Sequence, residues 1–100
     1  IDWNQEAKAI ERLIRGLNPW PSAYTDWDGK VMKIWDADVV EEDSKEAPGT
    51  IIGVDKSGIH VACGSDTLIL KEVQLEGKKR MDVETFLRGY SVKEGEILGE

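Results

Sequence analysis

Two short runs hold the residues best equipped for chemistry: His60, Cys63, Ser65 and Asp66 within one stretch, and Lys78, Lys79 and Arg80 as the only three consecutive cations. The first run contains a nucleophile, a base and a carboxylate by type but not by arrangement. A catalytic serine of the elbow type sits between a strand and a helix, whereas Gly64-Ser65-Asp66 separates two strand-like runs and reads as a hairpin turn. His60 alternates with Ile59, Val61 and Cys63, so it points away from their face as an exposed or edge residue. Cys63 reads as a small core hydrophobe. One histidine and one cysteine complete neither a zinc site nor an internal disulfide. The sequence thus offers no catalytic residue, no metal site and no cofactor site of its own. In the second run, Gly77-Lys78 before a helix is a fragment of a phosphate-binding loop, but the upstream glycine and full spacing are missing, which excludes nucleoside triphosphate binding of that kind. What remains is either plain solvated charge or contact with a phosphate backbone by Lys78, Lys79 and Arg80, where Gly77 allows close approach. Lys71 is expected to add to the same patch, with Lys30 and Lys33 as outer members.

These residues need elements to position them. Asp2 with Gln5 three residues later is a capping-box pattern, and Trp3, Ala7, Ile10, Ile14 and Leu17 recur on one face of a helix that Gly16 ends. Of its outer residues, only Arg12 and Arg15 are candidates for a partner. In Pro19-Trp20-Pro21, two residues without an amide hydrogen stop the helix and turn the chain toward a sheet, and Trp20 is expected to be buried between the two. Strands are predicted over Ala23–Trp27, Lys30–Val40, Thr50–Asp55, Ile59–Cys63 and Thr67–Leu75, with Asp28-Gly29 a strong hairpin signal. The Lys30–Val40 strand has apolar residues on both faces, as in small barrels where one strand bends to serve two sheets. Asp82 then caps a short helix, Val83 to Arg88, and Tyr90 to Gly99 is either a last edge strand or a tail. The fold class is mainly β: a small antiparallel barrel of the oligonucleotide-binding (OB-fold) type with an N-terminal helix and a short late helix.

At 100 residues the chain is one domain, with 40% hydrophobic and 33% charged residues and no apolar run of membrane-spanning length. The single cysteine and the lack of a signal-peptide pattern fit a cytoplasmic protein. A net charge of -7 weighs against nucleic-acid binding overall. The charge is partly segregated, however, with Glu41, Glu42, Asp43 and Glu46 far in sequence from the Lys78–Arg80 run.

Four segments occur together in one order: Ile1-Asp2-Trp3; Ile14-Arg15-Gly16-Leu17-Asn18-Pro19-Trp20-Pro21; Ala47-Pro48-Gly49-Thr50-Ile51; and Gln74-x-x-Gly77-Lys78-Lys79-x-Met81. In order and spacing they resemble the C-terminal domain of methionyl-tRNA formyltransferase, over nearly the whole chain. The resemblance implies an OB-type barrel spanning 1–100, with Pro19, Trp20, Pro21 and Gly77 as structural residues. It also implies that the family's catalytic Asn, His and Asp and its formyl-folate pocket lie in a separate N-terminal domain, absent here. That partner domain would take 10-formyltetrahydrofolate as co-substrate. This domain would help hold initiator methionyl-tRNA, acting as part of a monomeric enzyme. A second possibility is a purely structural barrel serving a related formyltransferase that acts on a nucleotide sugar.

Overall fold

The structure, a computed structural model, describes residues 1–99. In chain order the elements are α1 (Ala7–Leu17), β1 (Ala23–Trp27), β2 (Lys30–Val40), β3 (Ile51–Asp55), β4 (Gly58–Ala62), β5 (Thr67–Leu75), β6 (Met81–Asp82) and α2 (Val83–Gly89). All strand pairs are antiparallel, in the order β1-β2-β5-β4-β3, with the short β6 added beside β5. This is the expected mainly-β, OB-like class, although β1 and β3 do not pair with each other to close a barrel. The C-terminal segment lies between those two edges instead. Gly95 N–H donates to Ile51 O and Ile51 N–H to Glu96 O, Leu98 N–H donates to Gly49 O, and Gly99 N–H reaches Asp26 O on β1, each at 2.8 Å. Residues 95–99 are therefore a hydrogen-bonded seam rather than a loose tail.

The two mixed faces of β2 have a local cause. Its register with β5 shifts between Ile34 and Asp36 and again between Asp36 and Ala37, so the strand is bulged at Trp35-Asp36. Met32 and Ile34 point inward before the bulge and Ala37 after it, which changes the inward phase from even to odd positions. On β5 the same change falls between Leu70 and Val73, both fully buried. One bend thus lets a single long strand pair cover two sides of the core, and it turns Trp35 outward.

The first helix starts later than its capping pattern predicts. The Asp2 carboxylate accepts the Asn4 N–H at 3.0 Å within a turn, and Glu6, which makes no side-chain cap bond, precedes the helix. A strand turn satisfies the helix instead: Ala7 N–H donates to Ser65 O at 2.9 Å, while Gly64 N–H donates to Trp3 O and Gln5 O at 3.0 and 2.9 Å. The backbones meet so closely that a Cβ on Gly64 would lie 1.9 Å from Asn4 O. The expected apolar stripe is buried, with Trp3, Ala7, Ile10 and Ile14 in the core. Trp3 reaches it from the preceding turn, with its indole N–H on Thr25 Oγ1 at 3.0 Å. The helix also runs through Gly16 to Leu17.

Trp20 is not buried: it is 83% exposed. The corner is anchored by its polar residues. Asn18 Nδ2 donates to Ile34 O and Trp35 O at 3.3 and 3.2 Å, Ser22 N–H to Leu17 O at 3.0 Å, and Ser22 Oγ to Pro19 O at 2.9 Å. The loop therefore doubles back on itself rather than running extended, and Trp20 lies at its outer tip. The aromatic core is supplied elsewhere, by Phe86 of α2 stacked on Tyr90 at 4.5 Å, with Trp27 edge-on to Phe86 at 5.7 Å. Asp82 caps α2 as expected, accepting Thr85 N–H at 2.7 Å, which holds its carboxyl below the ordinary value.

Candidate nucleic-acid interface

The loop carrying Lys78, Lys79 and Arg80 joins β5 to β6 and is fixed by side chains of the sheet's outer face. Glu76 Oε1 accepts the Val31 N–H, Lys78 N–H donates to Leu75 O at 2.9 Å, and Gln74 Nε2 donates to Lys78 O at 3.0 Å. Gly77, at φ +76, makes the turn in the left-handed region, which accounts for a glycine there. Lys78 and Lys79 are exposed and form no ion pair among the described residues.

Arg80 is differently placed. Its Nε donates to Glu72 Oε2 at 2.7 Å, and its guanidinium lies over the Trp35 ring, 4.4 Å from the centroid. The Glu72 hydrogen bond, with the charges of Glu72 and Asp36, raises its pKa above the ordinary value. Trp35 is fixed in turn by its Nε1, which donates to Gln74 Oε1 at 3.0 Å. Lys33 is exposed and stands opposite both Tyr24 of β1 and Gln74 of β5, so it shares this outer face. Lys30 is exposed at the β1–β2 turn, opposite Trp27.

Lys71 does not join the patch as expected. Its Nζ donates to Ser57 O at 2.7 Å and lies 3.8 Å from Asp38, because the bend in β5 turns it toward the β3–β4 turn. On α1, Arg15 is held by Glu11 at 2.6 Å, and Arg12 remains exposed. The acidic segment lies at the other end of β2. Asp43 accepts the Asp66 N–H and Glu42 O the Thr67 hydroxyl, beside Val40, which pairs with Thr67. Lys33 and Val40 are separated by seven residues of strand, on the order of 20 Å.

The other chemically equipped run forms no active site. Ser65 lends its carbonyl to α1, and Cys63 is buried, which pushes its thiol up to about 11. His60 Nε2 lies 3.2 Å from both Ser57 Oγ and Asp55 Oδ1, and hydrogen bonds from Ser57 and His60 bring Asp55 down to about 2. In a catalytic triad the two ring nitrogens are divided between nucleophile and carboxylate. Here one nitrogen serves both, so the trio ties the β3–β4 turn.

The model of the formyl transferase C-terminal domain family matches residues 1–91. The chain belongs to that family. It is 52% identical to a methionyl-tRNA formyltransferase of Lachnospira eligens, over 100% of this chain and 33% of the relative. It is 51% identical to one of Clostridium novyi over 98% of the chain and 32% of the relative, and 54% identical to one of Agathobacter rectalis over 95% and 31%. The chain thus spans about a third of the length of these relatives.

In this formyl transferase C-terminal domain, Trp35 and Tyr24 belong to the candidate interface although the sequence did not single them out, and Gln74, noted there only as part of a family-like segment, joins them. Trp35 carried a partial signal in its place two residues after Lys33 on a strand. Which way it points depends on a bulge that periodicity does not encode.

Proposed function

We propose that this chain is the tRNA-binding accessory domain of a cytoplasmic, monomeric methionyl-tRNA formyltransferase. It helps hold initiator methionyl-tRNA while an N-terminal domain transfers the formyl group from 10-formyltetrahydrofolate to the methionine amino group. Chemistry belongs to that other domain, because no nucleophile, base and oxyanion donor come together among the described residues here. The observation that carries the RNA reading is the pair Lys78 and Lys79, exposed, without an ion pair among the described residues and held on a fixed loop beside Lys33. Lys30 extends the same end of the sheet. A phosphate contact needs cations not already neutralised, and these meet that condition where Lys71 and Arg80 do not.

The names of the relatives support methionyl-tRNA as the substrate. Of the acidity that favours a structural barrel in a nucleotide-sugar enzyme, the cluster Glu41, Glu42, Asp43 and Glu46 lies away from this loop, while Glu72 and Glu76 lie beside it. The test is K78A/K79A in the two-domain enzyme, following kcat/KM for charged initiator tRNA against salt. We expect a lower kcat/KM and a log–log salt slope shallower by about 1.4–1.8, since each of two phosphates left without its lysine removes roughly 0.7–0.9. Unchanged kcat/KM and slope would leave the domain with a structural role.

A further inference from the structure

The outer face contains one feature that phosphate binding leaves unexplained. Trp35 is turned out of β2 by the bulge and its indole N–H is pinned by Gln74 at 3.0 Å. Arg80 is layered on the ring at 4.4 Å and aligned by Glu72 at 2.7 Å. Its side chain is still 48% exposed. Arg80 is already paired with Glu72 at 2.7 Å, which makes it a weaker phosphate ligand than an unpaired cation. Its planarity is not used up. A guanidinium held over an indole and still about half exposed leaves planar surface open to solvent, and nucleobases stack on arginine planes and aromatic rings. Two cations without an ion pair among the described residues adjoin Gln74 and could take the flanking phosphates: Lys33 opposite it, and Lys78, whose carbonyl it holds.

We infer that the Trp35–Arg80 stack is a nucleobase seat, on which an unpaired base of bound RNA stacks against the open plane of the Arg80 guanidinium while Lys33 and Lys78 engage its flanking phosphates. This rests on the reading of the domain as an RNA binder and adds that it takes a single-stranded nucleotide, which an electrostatic surface alone would not distinguish. Glu72 and Gln74 are positioning residues: the first orients the guanidinium, the second the indole.

The test uses this chain with a short oligoadenylate RNA and an abasic strand of the same length and phosphate count. Binding is read from the Trp35 indole N–H resonance and by titration. The base-bearing strand should bind about fivefold or more tightly than the abasic one, the least that one stacked base is worth. R80K keeps the charge and loses the plane, and should abolish the preference while leaving abasic affinity unchanged. K78A/K79A should weaken both strands alike. Trp35→Phe, which retains an aromatic ring and is followed by titration because it lacks the indole N–H, is the control for folding and should retain part of the preference. Equal affinity for the two strands, or a preference that survives R80K, overturns the base seat and leaves the electrostatic reading standing. Failure of both strands to bind overturns both.

Discussion

Trp3 and Trp20 show how little the residue type alone fixes. Trp3 is 5% exposed, with its indole N–H on Thr25 Oγ1 at 3.0 Å, so truncation removes buried apolar area and orphans a buried hydroxyl. Trp20 stands at a loop tip whose anchors are Asn18 and Ser22. Trp3→Ala should therefore cost on the order of 3–5 kcal/mol, as large aromatic truncations in cores do. Trp20→Ala should stay within about 0.5 kcal/mol, as surface changes do. Urea unfolding of both variants checks the pair, and a large loss for Trp20→Ala would mean that the corner packs against something in the folded chain. The two prolines made the corner legible as a break in the helix. They did not reveal that its polar residues face the sheet, since those partners are the carbonyls of Ile34 and Trp35, sixteen and seventeen positions away.

At the scale of elements, strands and turns followed closely from alternation and glycine, and the predicted β1, β2 and β5 match residue for residue. What failed depended on contacts between distant segments. The start of α1 is set by Ser65 rather than by Asp2, and the inward phase of β2 switches at Trp35. The same bend separates Lys71 from the loop it was expected to join. Two glycines in this region separate local from tertiary demands. Gly64 faces the backbone of Asn4 at a distance no Cβ can tolerate, whereas Gly16 lies inside α1 with nothing within 4 Å of an added Cβ. Gly64→Ala should destabilise by roughly 1–3 kcal/mol or more, the usual cost of overpacking, with early loss of amide protection at Ala7. Gly16→Ala should stabilise by about 0.4–1 kcal/mol, because it reduces the freedom of the unfolded chain at an unstrained helical site. Thermal or urea melts of the two variants should thus move in opposite directions; equal destabilisation would contradict the open surroundings of Gly16.

Across the whole molecule, the proposed RNA surface has to be reconciled with a net charge of -7. The geometry answers with distance: the acidic segment and the Lys33–Lys78 face sit at opposite ends of β2, on the order of 20 Å apart. That exceeds the screening length of about 8 Å at roughly 0.15 M salt but not the 30 Å or so at about 0.01 M. The acids should then repel RNA only when salt is low. Replacing Glu41, Glu42 and Glu46 by Gln, while keeping Asp43 because it holds the Asp66 N–H, brings the net charge from -7 to -4. At low salt this variant should bind the same oligoadenylate faster and more tightly than the parent. Near physiological ionic strength the two affinities should agree within about twofold, since screened charges beyond one Debye length contribute little. A gain that persists undiminished at high salt would show that RNA approaches the acidic end itself, and would move the interface away from the loop of Lys78 and Lys79.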